Sequence, residues 1–184
     1  MNDKMSIIAA SVKRTNWSYD LDKCLIEWEL IQLRHGDALW NDAVGFRDKT
    51  SLQHSNKFVN NPYQDGVGSI IRSNNVTSDF IILNEVYEDT IFADIIRDTR
   101  GERARLMITR RHTTYSVHQD KTPRYHMALI TNPDAYFIFP TLNEIMHIPA
   151  DGFVYEVDTT IPHSFVNCGE DRTHLVISKG VHHA

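Results

Sequence analysis

A short stretch in the second half of the sequence concentrates ionisable side chains directly before an apolar segment. The run "YSVHQDKTPRYHMALI", residues 115 to 130, contains His118, Asp120, Arg124 and His126. Burying such groups without partners is costly, so the stretch either lies at the surface or surrounds something that it binds. Residues two apart on a strand share a face, so His118 and Asp120 would present an imidazole and a carboxylate side by side. We predict that this pair chelates a metal ion.

A third ligand must come from a more distant segment. His163, in "TTIPHSFVN", follows a turn and begins a predicted strand, which makes it the best candidate. Two histidines and one carboxylate form the facial triad of non-haem Fe(II) oxygenases, which leaves positions open for a co-substrate and oxygen. A zinc ion would more often be closed by a fourth ligand or bind only a water. We therefore predict His118, Asp120 and His163 as the metal ligands and the catalytic set.

A downstream arginine extends this prediction. If "CGED" is a four-residue hairpin loop, Arg172 lies on the same face as His163, about 13 Å away along the ladder. The gap left between the two side chains fits a short dicarboxylate, with one end on the metal and the other in a two-pronged contact with the guanidinium. His126 could add a hydrogen bond to that distal carboxylate.

Several of these residues also have structural interpretations. Ser116 and Arg124 lie near the predicted mouth and could contact co-substrate or substrate, but structural roles stay open for both. His118 and Asp120 could instead be a hydrogen-bonded surface pair, and Arg172 a surface arginine at a hairpin end. We assign no site to the following histidines: His112, His147, His174, His182 and His183.

Length and composition limit the class of protein. The chain has 184 residues, of which 41% are hydrophobic, so it can bury one sizeable core, and we predict a single domain over 1–184. A formal charge of -5 and a pI near 6.0 disfavour nucleic acid and anionic membranes as partners. The sequence shows neither a signal peptide nor an 18-residue apolar run, so we expect a soluble, cytoplasmic protein. Its oligomeric state is not predicted.

The first hundred residues predict a helical and loop-rich support region. In "DLDKCLIEWELIQLRHG" the apolar residues follow helical spacing, with Asp20 as the N-cap and Gly36 at the end. A second helix is predicted over about 84–99. Polar clusters between residues 41 and 78 predict loops around short strands at Val44 to Phe46 and Ser69 to Arg72.

The pattern changes after Gly101, and residues 101–180 predict the β core that carries the metal site. Turn signals separate eight short segments with strand-like composition: "RARLMITRRH", "YSVHQD", "RYHMALI", "AYFIF", "EIMHIP", "GFVYEVD", "HSFVN" and "RTHLVIS". Eight segments at this spacing favour a sandwich or jelly roll, whose two sheets enclose a mouth where ligands bind. The two helices would then cover one outer face. The predicted fold class is mainly β with N-terminal helices.

The order of the motifs resembles a known family. "HQD", then "RYHMALITNPDAYF", "HIPADGFVYEVDTTIPHSFVN" and "EDRTHLV", is similar to the aspartyl/asparaginyl β-hydroxylase family of Fe(II)- and 2-oxoglutarate-dependent dioxygenases, which includes free-proline hydroxylases. The resemblance covers roughly residues 103 to 178. The animal aspartyl hydroxylases lack the carboxylate ligand that Asp120 supplies, so this chain resembles more closely the branch with a complete triad.

The resemblance implies a double-stranded β-helix, which is a cupin-like jelly roll, and an amino acid or amino-acid residue as the hydroxylated substrate. It implies Fe(II) on His118, Asp120 and His163, with 2-oxoglutarate held by His126 and Arg172. The co-substrates would be 2-oxoglutarate and O2, the co-products succinate and CO2, and ascorbate is a candidate reductant. Two alternatives stay open: a cupin-type metal enzyme without 2-oxoglutarate, and a non-catalytic jelly-roll binding module.

Overall fold

The computed structural model describes residues 11–40, 48–58, 60–68 and 75–180. Within these ranges the protein is mainly β, with antiparallel sheets and two α-helices, α1 (Leu21–Leu39) and α2 (Ile91–Thr99). The strands are β1 (Val12–Ser18), β2 (Lys49–Ser51), β3 (Gln53–His54), β4 (Ile82–Leu83), β5 (Glu102–Thr109), β6 (Thr113–Thr114), β7 (Arg124–Ile130), β8 (Ala135–Phe139), β9 (Glu144–Met146), β10 (Phe153–Val157), β11 (Ser164–Asn167) and β12 (Arg172–Ser178). Neither described helix is long and apolar enough to cross a membrane.

Helix α1 begins as its sequence predicts and ends later. Asp20 caps it by accepting a hydrogen bond from the backbone N–H of Lys23 at 3.0 Å. Gly36 does not end the helix, which continues to Leu39. Leu39 is fully buried and Trp40 packs edge-on against Trp28, with 5.9 Å between ring centroids. This packing outweighs the cost of an interior glycine, which is about 1 kcal/mol relative to alanine.

Helix α2 is shorter than predicted. The segment Glu85–Tyr87 forms a separate 3₁₀ turn, and Asp89 has a φ of 58°, which interrupts any helix that starts at Asn84. The continuous helix therefore begins at Ile91. Its end agrees with the prediction, because the N–H of Gly101 donates back to the carbonyl of Ile96 at 3.1 Å.

Two of the antiparallel sheets position the candidate site. A six-stranded sheet has the order β1-β10-β7-β12-β5-β2, and a four-stranded sheet has the order β6-β11-β8-β9. A small third sheet pairs β3 with β4. Strands β1 and β2, which the sequence patterns did not predict, form the two edges of the six-stranded sheet. The strands predicted at 44–46 and 69–72 lie outside the described residues.

The predicted hairpin across "CGED" is wrong. Strand β11 pairs with β6 and β8, whereas β12 pairs with β5 and β7 in the other sheet. Val176 therefore lies opposite Arg105 and His126 of the six-stranded sheet. All seven residues of β12 are buried, which suits a central strand covered on both faces better than one arm of a hairpin.

Two apolar clusters cover the opposite faces of the six-stranded sheet. One face packs against the helices through residues such as Phe92, Leu106 and Leu175, so the helices cover an outer face as predicted. The other cluster includes Ala128 and Phe137 and lies between the two larger sheets. Because side chains alternate along a strand, His126 and Arg172 face this inner space.

Candidate active site

A cavity of about 480 Å³ opens at one end of the space between the two larger sheets. Its wall includes every site residue predicted from the sequence: Ser116, His118, Asp120, Arg124, His126, His163 and Arg172. The six-stranded sheet supplies Arg124, His126 and Arg172. Ser116, His118 and Asp120 lie in the segment between β6 and β7, and His163 lies directly before β11. The fold thus brings together residues that are up to 56 positions apart in the sequence.

Two histidines from separate segments are joined through their backbones. The N–H of His118 donates to the carbonyl of His163 at 2.9 Å, and the N–H of His163 donates to the carbonyl of His118 at 2.9 Å. This isolated antiparallel bridge is all that the predicted strand "YSVHQD" forms at His118. The bridge holds the two imidazole rings with their centroids 4.4 Å apart.

The hydrogen bonds of both rings fix which nitrogen is free. Nδ1 of His118 lies 2.8 Å from the carbonyl oxygen of Ser116, and Nδ1 of His163 lies 2.9 Å from that of Ile161. A carbonyl oxygen can only accept, so each Nδ1 carries the proton and each Nε2 keeps a free lone pair. A histidine that ligates a metal through one nitrogen usually donates its other N–H in this way.

Asp120 completes the group. One donor atom from each of His118, Asp120 and His163 lies within 4.8 Å of the other two. Oδ1 of Asp120 accepts a hydrogen bond from Arg124 at 2.5 Å, which orients the carboxylate. Oδ2 is buried without a hydrogen-bond partner and lies 3.8 Å from Nε2 of His163. An unsatisfied carboxylate oxygen beside two free imidazole nitrogens fits a divalent cation.

The donor set narrows the kind of metal. Two imidazole nitrogens and one carboxylate oxygen match the set that non-haem Fe(II) oxygenases use. Within the described ranges, no fourth His, Cys, Asp or Glu side chain joins these three. Burial lowers the pKa of His163, which favours the neutral imidazole that a metal requires. His118 is exposed, so the group lies at the cavity mouth.

Arg172 lies deeper in the cavity as a buried cation. Its side chain packs on two aromatic rings, with the guanidinium carbon 4.0 Å from the Phe165 centroid and 5.6 Å from that of Phe137. Its Nε lies 2.7 Å from Nε2 of His174. It has no carboxylate partner among the described residues, and burial lowers its pKa to about 9. A buried guanidinium without a counter-charge fits an anionic ligand.

His126 is the second unsatisfied group in this part of the cavity. Its residue exposure is 5%, and neither ring nitrogen has a hydrogen-bond partner. Burial, then the charge of Arg172, lowers its pKa well below the usual value, so the imidazole is neutral. A neutral imidazole can donate one hydrogen bond and accept another, and both are available to a ligand.

Two predicted residues have contacts that the sequence does not reveal. Arg124 is engaged by Asp120, so its charge is already compensated. Ser116 is exposed and contributes its backbone carbonyl, rather than its hydroxyl, to His118. Neither contact requires a co-substrate.

The sequence interpretation missed charged residues of the cavity wall, namely Lys49, Arg103 and Arg105. It also assigned no site to His174, which lies beside Arg172 and has its ring centroid 5.8 Å from that of His126. The alternation of arginines in "ERARLMIT" was a usable signal, because charged residues two apart on a strand share one face. Lys49 had no such signal, because its strand was not predicted.

Comparisons with known proteins find likenesses in structure at low sequence identity. No known family profile matches the sequence, and no curated protein matches it. A 2OG-Fe(II) oxygenase family oxidoreductase from Burkholderia pseudomallei is similar in structure, with 15% identity, a TM-score of 0.49, and coverage of 92% of this chain and 85% of that one. A Pseudomonas putida prolyl-4-hydroxylase has 12% identity, a TM-score of 0.48, and coverage of 92% and 93%.

A third solved structure, CapF with the inhibitor 3-isopropenyl-tropolone, has 14% identity and a TM-score of 0.34. The likeness covers 44% of this chain and 25% of CapF, so the match spans about a quarter of that protein's length. With TM-scores below 0.5, none of the three likenesses carries an argument about fold or activity.

Proposed function

We propose that this protein is an Fe(II)- and 2-oxoglutarate-dependent dioxygenase that hydroxylates an amino acid or amino-acid residue. The observation that carries the proposal is the group of His118, Asp120 and His163, in which one donor atom from each residue lies within 4.8 Å of the other two and Oδ2 of Asp120 is buried without a hydrogen-bond partner. Fe(II) and 2-oxoglutarate bound there would couple decarboxylation of 2-oxoglutarate to succinate and CO2 with insertion of one oxygen atom of O2 into a substrate C–H bond.

The protein's own residues would hold and shield these groups. His118 and His163 would each offer Nε2 while donating Nδ1–H to a backbone carbonyl, and Asp120 would offer Oδ2 while Arg124 holds Oδ1. Arg172 would bind the distal carboxylate of 2-oxoglutarate in a charge-assisted contact. His126, with two unpaired nitrogens, would add a hydrogen bond to the same co-substrate.

The buried cation favours this function over the two alternatives. A cupin-type metal enzyme without 2-oxoglutarate would leave Arg172 buried with no anion to neutralise it. A non-catalytic module would have no use for three potential ligand atoms at one point, one of them the buried, unsatisfied Oδ2 of Asp120. We also propose that the two larger sheets form a double-stranded β-helix. The chain would be a single catalytic domain over 1–184, with a support region over 1–100 and a core over 101–180. It would belong to the aspartyl/asparaginyl β-hydroxylase-like family. Cytoplasmic localisation stays a prediction.

Succinate formation tests the proposed function. Purified protein is incubated with Fe(II), ascorbate, 2-oxoglutarate and a panel of amino acids, and succinate is measured with and without a metal chelator. We expect iron-dependent succinate that His163→Ala abolishes and His35→Ala leaves unchanged, because His35 is exposed on α1, outside the cavity wall. Failure of the wild-type protein to bind Fe(II), or to form a coloured anaerobic complex with Fe(II) and 2-oxoglutarate, would reject the proposal.

A further inference from the structure

Two arginines of β5 lie in the cavity wall, and neither has a carboxylate partner among the described residues. Arg103 and Arg105 are 4% and 3% exposed. Arg103 donates to the backbone carbonyls of Gly66 at 2.8 Å and Gly68 at 2.5 Å. Arg105 donates from Nε to the carbonyl of Arg103 at 3.2 Å, but its second terminal nitrogen, NH2, is buried with no hydrogen-bond partner.

This unpartnered cation is unfavourable in the protein without ligand. A buried guanidinium has lost its water and has no counter-charge, which disfavours the charged form. Burial, followed by the charges of Arg103 and Arg124, lowers the pKa of Arg105 well below its usual value. Packing alone would be satisfied by an uncharged side chain of similar length. The guanidinium therefore indicates a ligand that the wall is built to receive.

Arg105 and Arg172 lie in different rows of the six-stranded sheet. Arg105 lies opposite Val176 on β12, and Arg172 lies opposite Thr109 on β5, so four residues separate the two rows. At about 3.4 Å per residue, the rows are about 13 Å apart. Val176 also lies opposite His126, so Arg105 shares a row with His126 rather than with Arg172. If the distal carboxylate of 2-oxoglutarate binds Arg172, Arg105 is left for a different anion.

The net charge of the cavity wall also favours an additional anionic ligand. Among the described residues that line the cavity, five side chains are cationic, namely Lys49, Arg103, Arg105, Arg124 and Arg172, and Asp120 is the one carboxylate. Asp120 is already paired with Arg124. Fe(II) carries two positive charges and 2-oxoglutarate two negative charges, so loading both leaves the excess unchanged. A further anion is needed to neutralise the β5 side of the cavity.

We propose that Arg105, supported by Arg103, binds a carboxylate of the substrate and so restricts the enzyme to substrates that present a carboxylate beside the metal. The inference rests on the proposed function and specifies its substrate. The planar guanidinium matches the two oxygens of a carboxylate. Arg103 positions the wall by holding the backbone at Gly66 and Gly68, and Lys49, on the neighbouring strand β2, adds positive charge at the edge.

Co-substrate affinity separates this site from that of 2-oxoglutarate. Arg105→Met, Arg172→Met and the surface control Arg97→Met are titrated anaerobically with 2-oxoglutarate in the presence of Fe(II), and the charge-transfer absorption of the complex is followed. We expect Arg105→Met and Arg97→Met to stay within about threefold of the wild-type Kd, and Arg172→Met to weaken binding at least about tenfold. Equal weakening by Arg105→Met and Arg172→Met would assign Arg105 to the co-substrate and overturn the inference.

Substrate affinity is measured on protein loaded with Mn(II) and 2-oxoglutarate, which binds without turning over. The calorimetric probes are L-proline, L-leucine and L-aspartate, each compared with its α-amide, and L-aspartate compared with L-asparagine. We expect at least one carboxylate to bind wild type at least about tenfold more tightly than its amide, and Arg105→Met to remove that difference. Arg105→Lys, which keeps the charge but loses the planar fork, should restore part of it. If no carboxylate binds wild type more tightly than its amide, the inference is wrong.

Thermal unfolding provides a readout that does not depend on any ligand. Arg105→Met removes an unpaired buried charge, so its Tm in the unloaded protein should equal or exceed that of wild type. A lower Tm together with unchanged carboxylate selectivity would show that Arg105 is structural. The proposed function fails separately: if wild type forms no absorbing complex with Fe(II) and 2-oxoglutarate, the enzyme class is wrong, whereas a normal complex without carboxylate selectivity contradicts this inference alone.

Discussion

The two walls of the cavity differ in how far their polar and charged groups find partners within the protein. At the mouth, His118 and His163 have their Nδ1 atoms hydrogen-bonded to backbone carbonyls, and Asp120 is held by Arg124. On the six-stranded sheet, Arg105 and Arg172 are buried cations with no carboxylate partner in the part of the chain that the structure describes. The groups of the first wall are oriented without a ligand, whereas the buried charges of the second wall are not compensated. If a metal and anions bind as proposed, the backbone would set the metal's position and buried charge would set the choice of ligand.

The largest loss of function is expected from substituting Asp120, because it is a candidate metal ligand at the mouth and also pairs with Arg124 of the six-stranded sheet. Asp120→Asn keeps the size of the side chain but removes the charge that Arg124 and a divalent cation share. We expect Fe(II) affinity and succinate formation to fall by more than about 100-fold. Asp37→Asn, on the exposed surface of α1, is the matched control, and Fe(II) binding by calorimetry is the measurement. Normal Fe(II) affinity in Asp120→Asn would remove Asp120 from the ligand set.

The second-largest effect is expected at Arg172, and it distinguishes co-substrate binding from metal binding. Arg172→Met keeps an apolar chain against Phe165 but removes the charge, and a hydrogen bond to a charged group contributes about 1.5–3 kcal/mol. The Kd for 2-oxoglutarate should therefore rise by about 10- to 150-fold, whereas Fe(II) affinity should change less than about twofold. Titration of each ligand checks this. A loss of Fe(II) affinity as large as that of 2-oxoglutarate would mean that the two walls do not act independently.

The buried histidines of the six-stranded sheet predict how the free energy of unfolding depends on pH. Burial depresses the pKa of His126 and His174 in the folded protein, whereas an unfolded chain binds these protons near pH 6.5. Stability is therefore fully present above about pH 6.5 and decreases as the pH falls below it, by up to about 1.4 kcal/mol per pH unit for each group. Thermal unfolding of the unloaded protein between pH 7.5 and 5.5 tests this, with both values chosen as about one unit either side of the unfolded pKa. A Tm that is constant or rises on acidification would contradict it.

A smaller effect is expected from His126→Phe. The aromatic ring can keep the edge-on contact with Phe137, whose centroid is 5.1 Å away, while two unpaired nitrogens are removed. One neutral hydrogen bond to the co-substrate contributes about 1 kcal/mol, so the 2-oxoglutarate Kd should rise by about fivefold. The Tm should not fall, and the pH dependence of unfolding should weaken. A Kd equal to that of wild type would leave the co-substrate with Arg172 alone.

The smallest effect is expected at Ser116. Its hydroxyl has no part in the contact with His118, which uses the backbone carbonyl of Ser116 at 2.8 Å. Ser116→Ala should therefore change Fe(II) and 2-oxoglutarate affinity by less than about twofold. Steady-state kinetics with varied 2-oxoglutarate measure this. A larger rise in KM would return Ser116 to the co-substrate site that its sequence position first suggested.

Much of the candidate site could be read from residue types and spacing, and the errors have specific causes. Strands β7 and β8 begin and end where the pattern predicts, because turn residues bound their apolar runs on both sides. The hairpin across "CGED" was wrong because a short loop between two strands does not say whether they pair or enter different sheets. Arg172 nevertheless lines the same cavity as His163, since both sheets face one inner space.

The missed residues show that a local pattern does not settle which face of a strand turns toward the cavity. Arg103 and Arg105 alternate along β5, yet their strand could have presented that face to solvent as easily as to the cavity. His174 looked like one histidine among ten, and its position beside Arg172 depends on which face of β12 turns inward. Strands β1 and β2 are edge strands whose pairing with the central sheet provides the stability that their sequences lack.

By itself, the sequence determined the chemistry available: two histidines and an aspartate able to bind a metal, an arginine able to bind a carboxylate, and alternating segments able to form sheets. These follow from the side chains and from the period of two along a strand. Only the tertiary structure decided which groups share one cavity and which of them lack partners. That outcome depends on sheet order and on long-range burial, which bring residues from distant segments to one point and remove the water that would otherwise satisfy them.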